Sequence, residues 1–297
     1  MMTIAVASSA LELGLIYALV ALALFLSYKM LNIADMTTDG AFTLGCAVSA
    51  VMAVAGHPYL GILAAMLAGA AAGTVTGLLQ TRLGVPSILA GIVTNAALYT
   101  VNLAVMGFSS NVSMLKTATL FSAVQGLPGG RLAVCLAVSA LVAALLALFL
   151  TTRLGLSIRA TGDNPDMVRA SSIDTAVTIT IGLAMANAIT ALSGALLAQY
   201  QRTADINLGN GMVVIGLASL IIGETMLGRG GLAGRLAGAA AGSVIYRFII
   251  ALALRLSLPS EGLKLVSAVI VATAIAGPTI KDRLALARMR AGRREVG

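Results

Sequence analysis

Apolar residues run through this chain in long blocks, and polar residues gather at the breaks between them. Blocks bounded by charge, Pro or Asn/Gly fall at about 11–28, 38–56, 59–80, 86–107, 131–151, 175–200, 212–228, 232–254 and 262–280. Each is close to the roughly 20 residues an α-helix needs to cross a bilayer. The pattern predicts an all-α polytopic membrane protein of about nine transmembrane or re-entrant helices. Two blocks are candidates for broken or re-entrant helices: 212–228 is short and Gly-interrupted, and 86–107 opens at Pro86 and carries Asn95 and Asn102. The chain has no Trp and only six Tyr and six Phe, so the usual aromatic belt does not mark the helix ends.

Small residues supply a second pattern. Gly69-x3-Gly73-x3-Gly77 and Gly234-x3-Gly238-x3-Gly242 are stripes that let helix backbones approach closely. The heptapeptide Leu67-Ala-Gly-Ala-Ala-Ala-Gly73 recurs identically as Leu236-Ala-Gly-Ala-Ala-Ala-Gly242, and each copy precedes a Pro-Ser pair, Pro86-Ser87 and Pro259-Ser260. In a nine-span arrangement the two copies cross in opposite directions, so the chain is a candidate inverted-topology repeat, although a composition this rich in Ala and Gly also yields such a match by chance.

Composition then narrows the class. With 297 residues, 59% hydrophobic and 10% charged, at a mean hydropathy of +1.00, the length is used up by spans and leaves no soluble catalytic domain. The expectation is one transmembrane domain over 1–297, with a cytoplasmic segment at 154–174 and a basic cytoplasmic tail at 281–297. The excess of 19 Lys and Arg over 11 Asp and Glu lies in loops and tail, which makes it an orientation signal and not a nucleic-acid surface. Placing the N-terminus outside and the C-terminus inside puts thirteen basic residues in the cytoplasm, among them Lys29, Arg82, Arg153 and Arg235, against five outside; Arg247 falls within a span. The first residues lack a basic n-region, so the first block is expected to be retained and not cleaved as a signal peptide. Cys46 and Cys135 sit far apart inside apolar blocks and read as small core residues.

Ionisable and amide side chains at membrane depth are costly and therefore mark candidate sites. Glu12 opens the first span and reads as a solvated end residue. Asn32-Ile-Ala-Asp35-Met-Thr-Thr-Asp39-Gly40 places polar groups between two spans, where a plain cytoplasmic loop is the alternative to a role on a solute path. Asn95 and Asn102, seven apart, share a helical face and either line a polar path or bridge neighbouring helices. Glu224 is a further path candidate, or is paired with the nearby Arg229. No Gly-Lys dipeptide occurs, hence no P-loop, and a lone His57 beside Pro58 gives no metal set and reads as a turn residue. No catalysis, metal or cofactor is expected.

The longest polar stretch, 154–174, reads as a short helix on a loop: Asn164 can cap it, Pro165 suits its first turn, Asp166 complements its positive end, and Met167, Val168 and Ala170 form a small apolar surface for docking. The run Arg159-Ala-x-Gly162-Asp163-Asn164-Pro165-Asp166-Met167-Val-Arg169-Ala, followed by Ile173-Asp174 and a span, resembles the coupling helix of permease subunits of bacterial ABC importers of the branched-chain amino acid and ribose permease superfamily. Leu31-Asn-Ile-Ala-Asp35 resembles the segment after the first span in that family, and Gly216 to Gly242 its Gly-rich late region. The chain looks similar to a branch linked to aromatic amino acid binding proteins. Where the branched-chain permeases commonly place His, this chain has Asp35.

The resemblance implies a multi-pass subunit of the bacterial inner membrane. Its implied partners are a second permease copy forming a homodimer, an ABC ATPase docked at residues 159–170, and an extracytoplasmic solute-binding protein delivering a small solute, an amino acid in preference to a sugar or nucleoside. A path through the subunit would involve Asn32, Asp35, Asn95, Asn102 and Glu224. Two other classes fit the composition: a secondary transporter, favoured by the repeat, and a non-transporting membrane scaffold.

Overall fold

The first apolar block forms α1 (Ile4–Leu24), and the rod continues through a six-residue π-helical stretch, Phe25–Met30. It is followed by α2 (Thr38–Val54), α3 (Pro58–Thr81), α4 (Ser87–Val105), α5 (Gly130–Thr151), α6 (Arg153–Asp163), α7 (Pro165–Ala170), α8 (Thr175–Gln201), α9 (Met212–Leu227) and α10 (Leu232–Arg255). Two short strands, β1 (Asn111–Ser113) and β2 (Thr203–Asp205), pair antiparallel. These elements come from a computed structural model that describes residues 4–127, 129–227, 231–255 and Ala272. Apart from Ala272, the predicted span at 262–280 lies outside the described residues, as does the tail at 281–297.

Eight of the nine predicted blocks therefore appear as helices, six of them long and apolar enough to cross a membrane; α2 and α9 are shorter apolar helices. The suspected break in 86–107 does not occur. Pro86 sits ahead of the first turn, where its missing N–H costs nothing, and α4 runs unbroken from Ser87. The irregular backbone lies instead before α2 and before α9.

Contacts along α8 show what those irregular stretches do. Leu31 lies against Gly182, Asp35 bonds to Asn187, Phe42 packs on Gly194, and Ser49 bonds to Gln199. The chain from 31 to 49 thus climbs parallel to α8, and α2 begins only alongside the middle of that helix. On the other side, the chain leaving β2 turns back inward: the Gly209 N–H donates to Thr43 Oγ1, and the Gly211 and Val213 N–H groups donate to the Asp39 carboxylate. From there α9 runs parallel to α1, with Gly216 against Val20 and Leu24, to the Lys29–Glu224 ion pair. Both short helices therefore start in mid-bundle and leave toward opposite ends.

The same three-helix plan occurs twice. The 21-residue α1 with its six π-helical residues matches the 27 residues of α8; α2 has 17 residues and α9 has 16; α3 and α10 have 24 each. One copy of the heptapeptide lies on α3, starting at its tenth residue, and the other on α10, starting at its fifth. Packing crosses between the halves: α3 lies on α8, where Gly69 and Gly73 meet the backbone at Asn187 and Leu183, while α10 lies on α1, where Ser243 Oγ donates to the Gly14 carbonyl. The repeat is a feature of the fold, and its two copies run in opposite directions.

A further helix, α5, packs on α1 through Ser139 Oγ and the Leu15 carbonyl. It leaves Leu136, Leu141, Leu145 and Leu148 exposed, an apolar face suited to acyl chains.

Candidate functional site

Polar side chains collect where the two short helices begin. Asp35, 2% exposed, takes one hydrogen bond from the Thr37 N–H at 2.9 Å and one from Asn187 Nδ2 at 2.6 Å. Thr37 and Thr76 share a hydroxyl hydrogen bond of 2.7 Å between the start of α2 and α3. Asp39 caps α9 across the bundle, accepting from Gly211 and Val213 at 2.9 Å each. A carboxylate thus meets the positive end of each short helix, an arrangement that satisfies the free N–H groups without water. Among the described residues no group of three His, Cys, Asp or Glu gathers as a metal set.

The segment 32–40 is therefore not a plain loop. Ile33, Asp35, Thr37 and Thr38 are buried, Asn32 is exposed at φ +57°, and a cavity of about 20 Å³ lies beside Asp35, lined by Leu24, Tyr28, Met36, Val213 and Leu217. That is room for one water molecule. Asn95 and Asn102 both reach Gly40 at the start of α2. Asn102 is buried and its Nδ2 donates to the Gly40 carbonyl at 3.2 Å, while Asn95 Oδ1 abuts the Gly40 Cα. Both amides thus join α4 to α2 at the level of Asp39.

Glu224 lies elsewhere, at the end of the bundle marked by Lys29. It accepts from Lys29 Nζ at 3.0 Å and from Arg235 at 3.3 Å, tying the ends of the π-helical stretch, α9 and α10. The Arg229 suggested as its partner lies outside the described residues. Glu12 also departs from expectation. It is 8% exposed and accepts from the Tyr200 hydroxyl at 2.7 Å, so it joins α1 to α8 and is not a solvated end residue.

The segment 154–174 sits at the Lys29 end and is more regular than a loop with one helix. Thr152 caps α6 through Gly155, and Ile158 is fully buried. Gly162 lies directly against the carbonyl of Met30, a contact that leaves no room for a side chain. The chain breaks at Asn164, whose φ of −156° and ψ of 96° leave the helical region; its Oδ1 accepts from the Met167 N–H at 3.0 Å, and Pro165 takes the first position of α7. Arg159 is half-buried on α6. Asp163 and Asp166 are exposed, Met167 is 66% exposed, and Val168 anchors the turn. Arg169 pairs with Asp166 at 3.1 Å and donates from Nε to Thr175 at the start of α8. The result is a short capped helix presenting Met167 outward, fixed through α6 to the end of α1.

Sequence reasoning missed Thr37, Thr76 and Asn187. Only Asn187 carried a local signal, as one of two amides, with Gln199, in the apolar block 175–200.

Comparison with known proteins agrees with this architecture. The family described as branched-chain amino acid transport system / permease component matches residues 6–276, and the chain belongs to it. Over 264 residues, 89% of this chain and 88% of the relative, it is 34% identical to a tyrosine transport system permease protein of Clostridioides difficile (strain R20291). It is also 32% identical over 216 residues, 73% of this chain and 76% of the relative, to an uncharacterized protein of Rickettsia prowazekii (strain Madrid E). No solved structure matches. The chain is thus a multi-pass protein of the bacterial inner membrane.

Proposed function

We propose that this permease-family member is the membrane-spanning subunit of an ATP-driven importer for an amino acid, with an aromatic one, such as tyrosine, as the favoured solute. The observation that carries the reading is the α6–α7 element. A capped helix presents an exposed Met167, and its support, Gly162, bears on the start of the segment that leads to Asp35. Such an element suits docking in a groove of another protein. Since the sequence contains no P-loop, energy enters from a separate ATPase at residues 159–170. The Lys29 end is the cytoplasmic end, as the basic residues favour; an external binding protein delivers solute at the Gln201 end, and a second copy of the chain completes the path. The substrate class follows the family and the tyrosine relative.

The path runs past Asn32, Asp35, Asn95 and Asn102 to Glu224. Its centre is polar but closed, with one water-sized cavity, so solute passes only when the two short helices part. The inverted halves also suit a secondary transporter. Reconstitution in vesicles separates the two readings: uptake requires the co-purified ATPase and ATP in the first, and an ion gradient alone in the second. Cysteines placed at Ser110 and Asp163 label from outside and from the cytoplasm, respectively; both native cysteines are buried. The reverse labelling overturns the orientation.

A further inference from the structure

The two halves of the fold need the same shapes but not the same polar groups. In sequence, the heptapeptide offset of 169 residues pairs Tyr17 with Ala186 and Arg247 with Leu78. Where α10 lies on α1, a cation sits on an aromatic ring. The Arg247 guanidinium carbon lies 4.0 Å from the centroid of Tyr17, and Tyr17 stacks on Phe42 with centroids 6.1 Å apart and planes 17° apart. Both rings are buried, and Tyr17 sits at the centre of the rod formed by α1 and its π-helical continuation.

Among the described residues no carboxylate lies within ion-pair distance of Arg247. Its Nε is buried without a partner, although the side chain is partly exposed. A charge at this depth costs a few kcal/mol. A guanidinium over an aromatic face keeps N–H groups at its edge for a planar anion, which it binds through two parallel hydrogen bonds.

We propose that Arg247 binds the carboxylate of the solute during transport, with Tyr17 and Phe42 as the aromatic wall of the site. The assignment rests on the reading of the chain as an amino acid permease. The chain has no tryptophan, so Phe42→Trp gives the permease a single reporter at the site. In the reconstituted complex with its ATPase, L-tyrosine is expected to change that emission saturably, and tyramine, the same molecule without the carboxylate, is expected not to. Arg247→Gln should weaken tyrosine binding about 10- to 100-fold and Arg247→Lys should recover part of it, with thermal unfolding measured for both.

Equal responses to tyrosine and tyramine overturn the site, as does unchanged affinity in Arg247→Gln. If Arg247→Gln does not fold, the tyrosine and tyramine comparison in the Arg247 protein decides alone. Failure of the wild-type complex to import tyrosine with ATP removes the transport reading and this site with it, whereas intact import with no carboxylate dependence at the reporter removes the site only.

Discussion

Two halves of one chain, α1–α3 and α8–α10, share lengths and a heptapeptide and run in opposite directions, yet differ in the polar groups they bury. The first half holds Asp35, Thr37 and Thr76 against Asn187; the second puts Arg247 on Tyr17. The shared features are apolar or small residues. Helix rods of fixed length need only an apolar block, and close crossings need only missing side chains. What differs lies at the start of the short helices or at the centre of the rods, where desolvation makes every polar group costly unless it serves a purpose. The common part carries the fold, and the proposed path and solute site lie among the differences.

The strongest way to break this comparison is to fill the crossings. Gly73 meets the backbone of Leu183 and Gly242 meets that of Ser219, so neither accepts a side chain without moving a helix. Gly73→Val and Gly242→Val should each destabilise by about 3 kcal/mol, seen as loss of folded protein in detergent by thermal unfolding. A harmless substitution at either position would show that its crossing does not need a missing side chain.

A smaller effect is expected from Asp39, which caps α9 from α2. Asp39→Ala leaves two backbone N–H groups without their acceptor and should cost about 2 kcal/mol. Hydrogen exchange should show faster opening at Gly211 and Val213, with α10 little changed. Uniform loosening of the whole bundle would argue that Asp39 is not a local cap.

The mildest test concerns α4. Asn102→Leu loses the bond to Gly40 and should lower stability by about 1 kcal/mol, while Asn95→Leu, which breaks no hydrogen bond of this kind, should change unfolding little and report on transport alone. Equal thermal losses in the two variants would make both amides plain helix bridges.

Much of this architecture was legible in the chain. Eight blocks became helices, and the small-residue stripes marked close crossings on α3 and α10, because hydrophobic length and small-residue spacing are local properties. The Asn164 cap was readable for the same reason: donor and acceptor lie three residues apart. The course of 31–37 was not. Its carboxylate is satisfied by Asn187, 152 residues away, and before folding a polar run ending at Asp35 is indistinguishable from a surface loop. Glu12 misled in the same way, since its partner Tyr200 lies on another helix. Nor did the sequence show α6 as a helix; the segment read as a loop ahead of one short helix, whereas Gly155 and Gly162 are needed where α6 passes close to backbone at Phe149 and Met30.

The central claim is that energy enters this permease through α6–α7. Its most direct test is Met167→Glu in the complex reconstituted with ATPase and binding protein, with hydrolysis and uptake measured in the same vesicles. Met167 is 66% exposed and contributes only its backbone to the cap, so the fold should hold. The account predicts ATP hydrolysis without solute uptake, or loss of the ATPase from the complex. Uptake at the wild-type rate with the ATPase still coupled would contradict it.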